Sequence, residues 1–311
     1  MNGGEPGGPA LPTYDVLPAG ALPAGARRAA VLGKPVRHSL SPVLHGAAYA
    51  ALGLEWVYGL AEVDAHELAG VVASLDAQWA GLSLTMPLKH VALEVADVVD
   101  PLAEVVGAVN TLIVQPGPGR GLVVGANTDV HGIVAALREA AGTAGWRPTG
   151  AVVLGGGATA ASTLAALAEL GITDSLVLVR NPARAGALQR AAHRMGVHAT
   201  LRRWSTVKQA ADAVTSADVT VSTLPAGAGD ELGDHLASGG GTSGRVLLDV
   251  AYDPWPSRLA AGFTAGGGTV APGWAMLLHQ AAEQVRLMTG RAAPLEAMRG
   301  ALTDALARRG G

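Results

Sequence analysis

The 311 residues contain no cysteine and a single phenylalanine (Phe263), and aromatic residues make up only 4% of the chain. Without cysteine there can be no disulfide, no thiolate metal ligand and no cysteine nucleophile. With so few aromatics, the core must be aliphatic and alanine-rich. Charge is also sparse: 15% of residues are charged, the net charge is −3, and no basic run exceeds Arg27-Arg28 or Arg308-Arg309. That balance argues against a nucleic-acid partner. Lysine is the scarcest cation, with three among 22 basic residues. Arginine keeps its proton in a protein, whereas lysine can be tuned toward neutrality by burial and neighbouring charge. Lys89, in GLSLTMPLKH, is therefore a candidate for proton chemistry, with a solvated surface lysine as the plainer alternative. The nine histidines are scattered. His38 and His45 could share a helix face, but no third ligand is spaced to join them, so no metal site is expected.

Hydrophobic residues make up 49%, enough for a packed core in two domains or one large one. The first 26 residues hold six Gly, five Pro and two charges, the composition of a flexible tail and not of a signal peptide. Pro148 to Ala168 carries no charge and is 21 residues long, in principle a membrane span. Three consecutive glycines divide it into the β-type run AVVL and the helically spaced ASTLAALAEL, so it reads as strand, turn and helix. A protein without a membrane partner, cytoplasmic and either monomeric or homodimeric, is the expectation.

From Arg28 onward, short aliphatic runs alternate with alanine-rich helical stretches, the pattern of an α/β fold. Strands are expected at RAAVLG (28–33), WVYGLAEV (56–63) and AGLSLT (80–85), with helices at 42–52 and 65–75. Ser41 is placed at the N-cap of the first of these helices and Pro42 at N1. GAVNTLIV and GLVVGAN read as paired strands around the turn PGPGRG, and residues 131–142 as a helix. A second strand series begins at Ala151 and continues through 175–181, 198–204, 218–224 and 246–252, in continuous apolar runs suited to buried parallel strands. The chain ends in helices, the last with Leu295, Met298, Leu302 and Leu306 on one face.

Gly155, Gly157 and Ala160 form G-x-G-x-x-A directly after AVVL and at the start of a helix. Such glycines let backbone amides approach a pyrophosphate at the helix N-terminus. After the next strand the chain offers Arg180 and Arg184 where an NAD binder usually has an acid, which suits the 2′-phosphate of NADP. Asn181 is accounted for as the N-cap before Pro182. In the first half, Ser39 and Ser41 precede a helix and could hold a carboxylate. Thr85, Lys89, Asn110, Asn127 and Asp129 sit in strand-end motifs, and the whole chain has only four asparagines.

The ordered motifs GxPxxHSxSPxxH (33–45), GxxxTxPxK (81–89), GAVNT (107–111) and GxNTDxxG (125–132), then the glycine turn, VLLDVAYDP and GWAMLLHQ, resemble the shikimate dehydrogenase family from about Arg28 to Gly290. The resemblance implies an NADP-dependent oxidoreductase interconverting shikimate and 3-dehydroshikimate. It implies a catalytic pair, Lys89 and Asp129. Ser39, Ser41 and Tyr252 would hold the substrate carboxylate, and Thr85, Asn110, Asp129 and Gln280 its hydroxyls. Gly155, Gly156, Gly157, Ala158, Arg180 and Arg184 would bind NADP, with Val250 and Gly273 beside the nicotinamide. The expected organisation is a tail (1–26), an α/β substrate-binding domain (27–130 with 275–311), a connecting helix (131–145) and a Rossmann-type NADP domain (146–273), with the active site in the cleft between domains. The chain departs from the family pattern at Ser83, often Asn, at Ala158-Thr159, usually Gly-Ala, and at Val179 and Gly46, each often Asn. An NAD-using quinate/shikimate dehydrogenase and a non-catalytic NADP- or metabolite-binding regulator on the same fold are the alternatives.

Overall fold

The computed structural model describes residues 22–118, 120–142 and 145–310. Most of the expected tail, residues 1–21, lies outside the described residues, as does Gly119 of the PGPGRG turn. The described residues divide into two compact units: those within 22–104, 109–127 and 284–310 form one, and those within 105–108 and 128–283 the other.

The elements of the first unit begin with β1 (Arg28–Gly33), α1 (Ser41–Ala51), β2 (Val57–Glu62), α2 (Leu68–Ala73) and β3 (Trp79–Leu84). They continue with α3 (Ala92–Val95), β4 (Val98–Val99), α4 (Pro101–Val106), β5 (Thr111–Gln115) and β6 (Leu122–Ala126). The sheet order is β2-β1-β3-β5-β6-β4. β1 runs parallel to β2 and β3, whereas β5 is antiparallel to both β3 and β6. Every residue of β3 is buried, as its unbroken apolar run requires. The reversal at β5 matters for function. It brings the start of β5 to the same edge of the sheet as the ends of β1, β3 and β6.

The helix expected at 65–75 is shorter, because the turn before it is fixed locally: the Asp64 N–H donates to the Glu67 carboxylate at 2.7 Å. At α1 the structure corrects the assignment of Ser41. The N-cap is Leu40, without a side-chain cap bond, and Ser41 is the first helical residue. The Ser41 N–H is instead taken by the Ser39 hydroxyl at 3.2 Å, which frees the Ser41 side chain from capping.

The second unit contains α5 (Asp129–Ala141), β7 (Ala151–Leu154), α6 (Ala158–Glu169), β8 (Asp174–Val179), α7 (Gly186–Met195), β9 (His198–Arg203) and α8 (Val207–Ser216). β10 (Val219–Ser222), α9 (Asp230–Gly239), β11 (Val246–Asp249), α10 (Arg258–Ala265), β12 (Thr269–Pro272) and most of α11 (Gly273–Thr289) complete it. The sheet runs β12-β11-β10-β7-β8-β9 with every pairing parallel. Counted from β7, this is the 3-2-1-4-5-6 order of a doubly wound dinucleotide fold, with its switch point between β7 and β10. Apolar side chains of β7, β8, β10 and β11 pack against α5 and α6 on one face, and against α8, α9 and α10 on the other. The uncharged stretch 148–168 becomes β7 and α6, and no helix among the described residues is long and apolar enough to cross a membrane. The last helix, α12 (Leu295–Gly310), belongs to the first unit and packs on α1. Met298 and Leu302 of its expected face are buried, and Ala305 joins them.

Candidate active site

In the first unit, the backbone ties three motifs to one edge of the sheet. The Thr85 N–H donates to the Leu32 carbonyl at the end of β1, and Leu84 N–H donates to the Asn110 carbonyl at 2.7 Å. The Lys89 carbonyl accepts from Val109 N–H at 2.8 Å, and Asn110 N–H donates to the Ala126 carbonyl at the end of β6. Thr85, Lys89, Asn110 and Asn127 are thus held side by side, with Lys89 in the turn between β3 and α3. Gly33 must be glycine here, since a Cβ would lie 2.2 Å from the Thr85 methyl.

The serines after β1 join the same edge. Ser41 is 3% exposed although its hydroxyl caps nothing. Its side chain bonds the Tyr58 hydroxyl, which donates to Ser83 Oγ at 2.6 Å. Burial pushes the Tyr58 phenol up, and its bonds to Ser83 and Ser41 pull it only partly back. His45 stacks on Tyr58 with ring centroids 3.9 Å apart. Tyr58 and Gln284 were not singled out in the sequence. Tyr58 is concealed in an apolar strand, whereas Gln284 could have been noticed one helical turn after Gln280.

In the second unit, Asp129 opens α5 and is buried, and the preceding Thr128 hydroxyl donates to Gln280 Oε1 at 3.3 Å. α5 and α11 approach closely at Gly132, where a Cβ would meet the Met276 carbonyl at 2.7 Å and Gln280 Cβ at 2.9 Å. Asp129 and Gln280 are therefore neighbours within this unit.

The glycine turn sits at the switch point, and its three glycines have different causes. Gly155 has φ +109°, and a Cβ there would lie 2.4 Å from Thr223 Oγ1, at the end of β10. The Thr223 hydroxyl donates to the Leu154 carbonyl at 2.9 Å and so fixes that contact. Gly156 is required by Val179, whose Cγ1 would be 2.9 Å from a Cβ. Gly157 has φ −88° and no atom within 4 Å of a Cβ position, so the chain itself does not require a glycine there. It is the N-cap of α6, which begins at Ala158, where backbone amides point outward and favour an anion.

Arg180 follows β8, and Arg184 lies on the 3-10 turn Pro182–Arg184, whose N-cap Asn181 accepts from Ala183 N–H at 3.1 Å. Both arginines are exposed, and neither makes an ion pair or side-chain hydrogen bond with any described residue. Val250 and Tyr252 follow β11, both partly buried, and Gly273 follows β12. A Cβ on Gly273 would come within 2.3 Å of the Val250 carbonyl, so that glycine is demanded by packing. Asp249, beside Val250, is anchored by the Ser257 hydroxyl at 2.6 Å, and burial raises its carboxyl despite that bond.

A doubly wound sheet with a glycine turn at its switch point, on one chain with a second α/β sheet bearing clustered polar groups, defines a dinucleotide-dependent α/β oxidoreductase. Residues 31–112 match the model of the shikimate dehydrogenase substrate-binding domain, and residues 273–303 that of the shikimate 5′-dehydrogenase C-terminal domain. The chain is 33% identical over 282 residues to the NADP(+) shikimate dehydrogenase of Methanothermobacter thermautotrophicus, covering 89% of this chain and 96% of the relative. Among solved structures, Mycobacterium tuberculosis shikimate dehydrogenase superposes with a TM-score of 0.78 at 43% identity, covering 89% and 99% of the two chains. Shikimate 5-dehydrogenase from Thermus thermophilus, in complex with NADP(H) and shikimate, gives 0.75 at 32% identity, covering 90% and 100%. The chain belongs to the shikimate dehydrogenase family.

Proposed function

We propose that this chain is an NADP-dependent shikimate dehydrogenase, interconverting shikimate and 3-dehydroshikimate in aromatic amino-acid biosynthesis. The observation that carries the substrate half is the edge of the first sheet, where Thr85, Lys89 and Asn110, drawn from separate motifs, are tied together by backbone bonds. The cofactor half rests on Gly157, where no described residue comes within 4 Å of a Cβ position, and on two arginines after β8 that pair with no described residue.

Ser39, Ser41 and Tyr252 hold the substrate carboxylate, and Thr85, Asn110 and Gln280 its non-reacting hydroxyls. Lys89 takes the proton from the C3 hydroxyl as the carbonyl forms, and returns it in the reverse direction. Asp129 lies beside the same hydroxyl and sets the charge of Lys89, its carboxylate favouring the lysine in its protonated form. Bound NADP supplies the acceptor for the C3 hydride, and in reduced form its donor. Gly155, Gly156, Gly157 and Ala158 offer the pyrophosphate their backbone, and Arg180 and Arg184 take the 2′-phosphate. Val250 and Gly273 flank the nicotinamide.

The test is turnover followed at the reduced-nicotinamide absorbance band, with shikimate and quinate each paired with NADP and NAD. Shikimate with NADP should be the fastest pair. Preference for NAD or quinate would make the chain a quinate/shikimate dehydrogenase, and no turnover with any pair would mark it as a regulator.

A further inference from the structure

Asp249 is a buried acid that the mechanism above does not use. It is the last residue of β11, is 3% exposed, and makes no ion pair with any described residue. Burial disfavours its charged form and raises the carboxyl, so it stands where the fold alone would favour an apolar side chain.

Its partners lie at the two ends of one loop. The Ala251 N–H reaches Asp249 Oδ1 at 3.4 Å, just after β11, and the Ser257 hydroxyl donates to Oδ2 at 2.6 Å. Ser257 is the N-cap of α10, where its Oγ also accepts from Ala260 N–H at 3.0 Å. The carboxyl thus bridges the end of a strand to the start of the next helix. Both of those posts are seated without it. Val250 N–H donates to the Ser222 carbonyl at 3.0 Å, and the Val250 carbonyl is backed by Gly273. α10 packs on α9, with Leu259 and Ala260 buried. What the bridge adds is the path of the residues between the posts. Among these are Val250 and Tyr252, both partly buried.

We propose that Asp249 is a positioning residue: its carboxyl clamps the base of the loop 250–257 and so aims the Tyr252 hydroxyl at the substrate carboxylate and Val250 at the nicotinamide. The proposal rests on the function stated above, which gives Tyr252 and Val250 those contacts. Asp249 acts through them and meets neither ligand. Loops carry binding groups only as precisely as their ends and turns are held, and this loop is held at its base by one side chain.

The experiment uses the full chain with Asp249→Ala, Asp249→Asn and Ser257→Ala, each alone and with Tyr252→Phe, with thermal unfolding as a check on folding. KM and kcat are measured for shikimate and for NADP. In Asp249→Ala, kcat/KM for shikimate should fall about 10²-fold, the scale of a small misplacement at a reacting centre, shared between higher KM and lower kcat. KM for NADP should stay unchanged, because its phosphates are held on other elements. Asparagine keeps an oxygen for the Ser257 hydroxyl, so Asp249→Asn should remain within about threefold of wild type. In the Tyr252→Phe background, Asp249→Ala should raise KM for shikimate by no more than about twofold, since the hydroxyl it aims is already gone. Ser257→Ala opens the clamp from its other end and carries the test if Asp249→Ala does not fold. Wild-type kinetics in the folded alanine variants would overturn the proposal. So would an equal rise in KM with and without the Tyr252 hydroxyl, or an asparagine variant as impaired as the alanine one. If the unaltered chain fails to turn over shikimate, the functional reading falls and this inference with it.

Discussion

His45 provides a pH test of the packing beneath the candidate site. It is 0% exposed, and its Nδ1 lies 3.0 Å from the Ser41 carbonyl oxygen, which can only accept, so Nδ1 carries the proton. Nε2 is buried without a hydrogen-bond partner among the described residues. The faces and edge of the ring meet Tyr58 and Tyr49, two phenols that burial pushes up and keeps neutral. A second proton would place an unpaired cation in this setting. Burial therefore lowers His45 from 6.5 to about 4, against the opposing bond to Ser41. The unfolded chain protonates His45 near its ordinary value while the folded chain does not, so stability falls as pH drops through this window. The full loss below the folded value is about 3 kcal/mol, of which about 2 kcal/mol appears between pH 7 and pH 5. The assay is urea unfolding of the wild type and His45→Phe at pH 5, 6, 7 and 8. Phenylalanine keeps a ring against Tyr58 and removes the titration, while other groups contribute equally to both proteins. The wild type should lose about 2 kcal/mol more than the variant on going from pH 7 to pH 5. Parallel pH curves would show that His45 protonates freely in the folded chain and would refute the reasoning.

Other substitutions separate binding from chemistry. Lys89→Ala should lower kcat by about 10²–10⁴-fold with KM for shikimate nearly intact, and Lys89→Arg should not rescue because guanidinium stays protonated. A rise in KM alone would make Lys89 a binding residue. Arg180→Ala should raise KM for NADP roughly tenfold with little change for NAD, whereas equal effects would remove the 2′-phosphate assignment. Gly155→Ala should destabilise the chain by about 1–3 kcal/mol, measured by urea unfolding, because a side chain at positive φ would also strike Thr223. Gly157→Ala should cost at most about 1 kcal/mol of stability, the loss of an N-cap glycine, and weaken NADP binding, as read by fluorescence titration.

Strand identity was legible where apolar runs were continuous, as in β1, β3, β7, β8 and β11, because a strand buried on both faces needs no polar alternation. β12 escaped because it is four residues long, Thr269–Pro272, between glycines at both ends. Its place at the sheet edge depends on pairing with β11, which no local pattern encodes. Thr85, Lys89, Asn110 and Asp129 could be read from motif order, but not the antiparallel β5 that places Asn110 against Leu84. The Ser41 error has a similar origin. A serine before proline fits an N-cap locally, and only the three-dimensional contact with Tyr58 shows where its hydroxyl goes. Gln284 was missed because its partners Ser83 and Thr111 lie 201 and 173 residues away in sequence.

The glycines show why a motif alone cannot distinguish the needs of a fold from those of a ligand. Gly155, Gly156 and Gly273 would each be selected in a protein that never bound a nucleotide, since Thr223, Val179 and the Val250 carbonyl exclude a side chain at those positions. Gly157 is different: an alanine would fit the isolated chain without strain or collision. Beyond the modest preference of an N-cap for glycine over alanine, its bareness suits a group occupying the space in front of the α6 amides. The arginines extend the argument, because exposed guanidinium groups without partners contribute little to folding yet match the geometry of a phosphate. The cofactor assignment therefore depends most on Gly157, Arg180 and Arg184, the members of the pattern that the fold does not require.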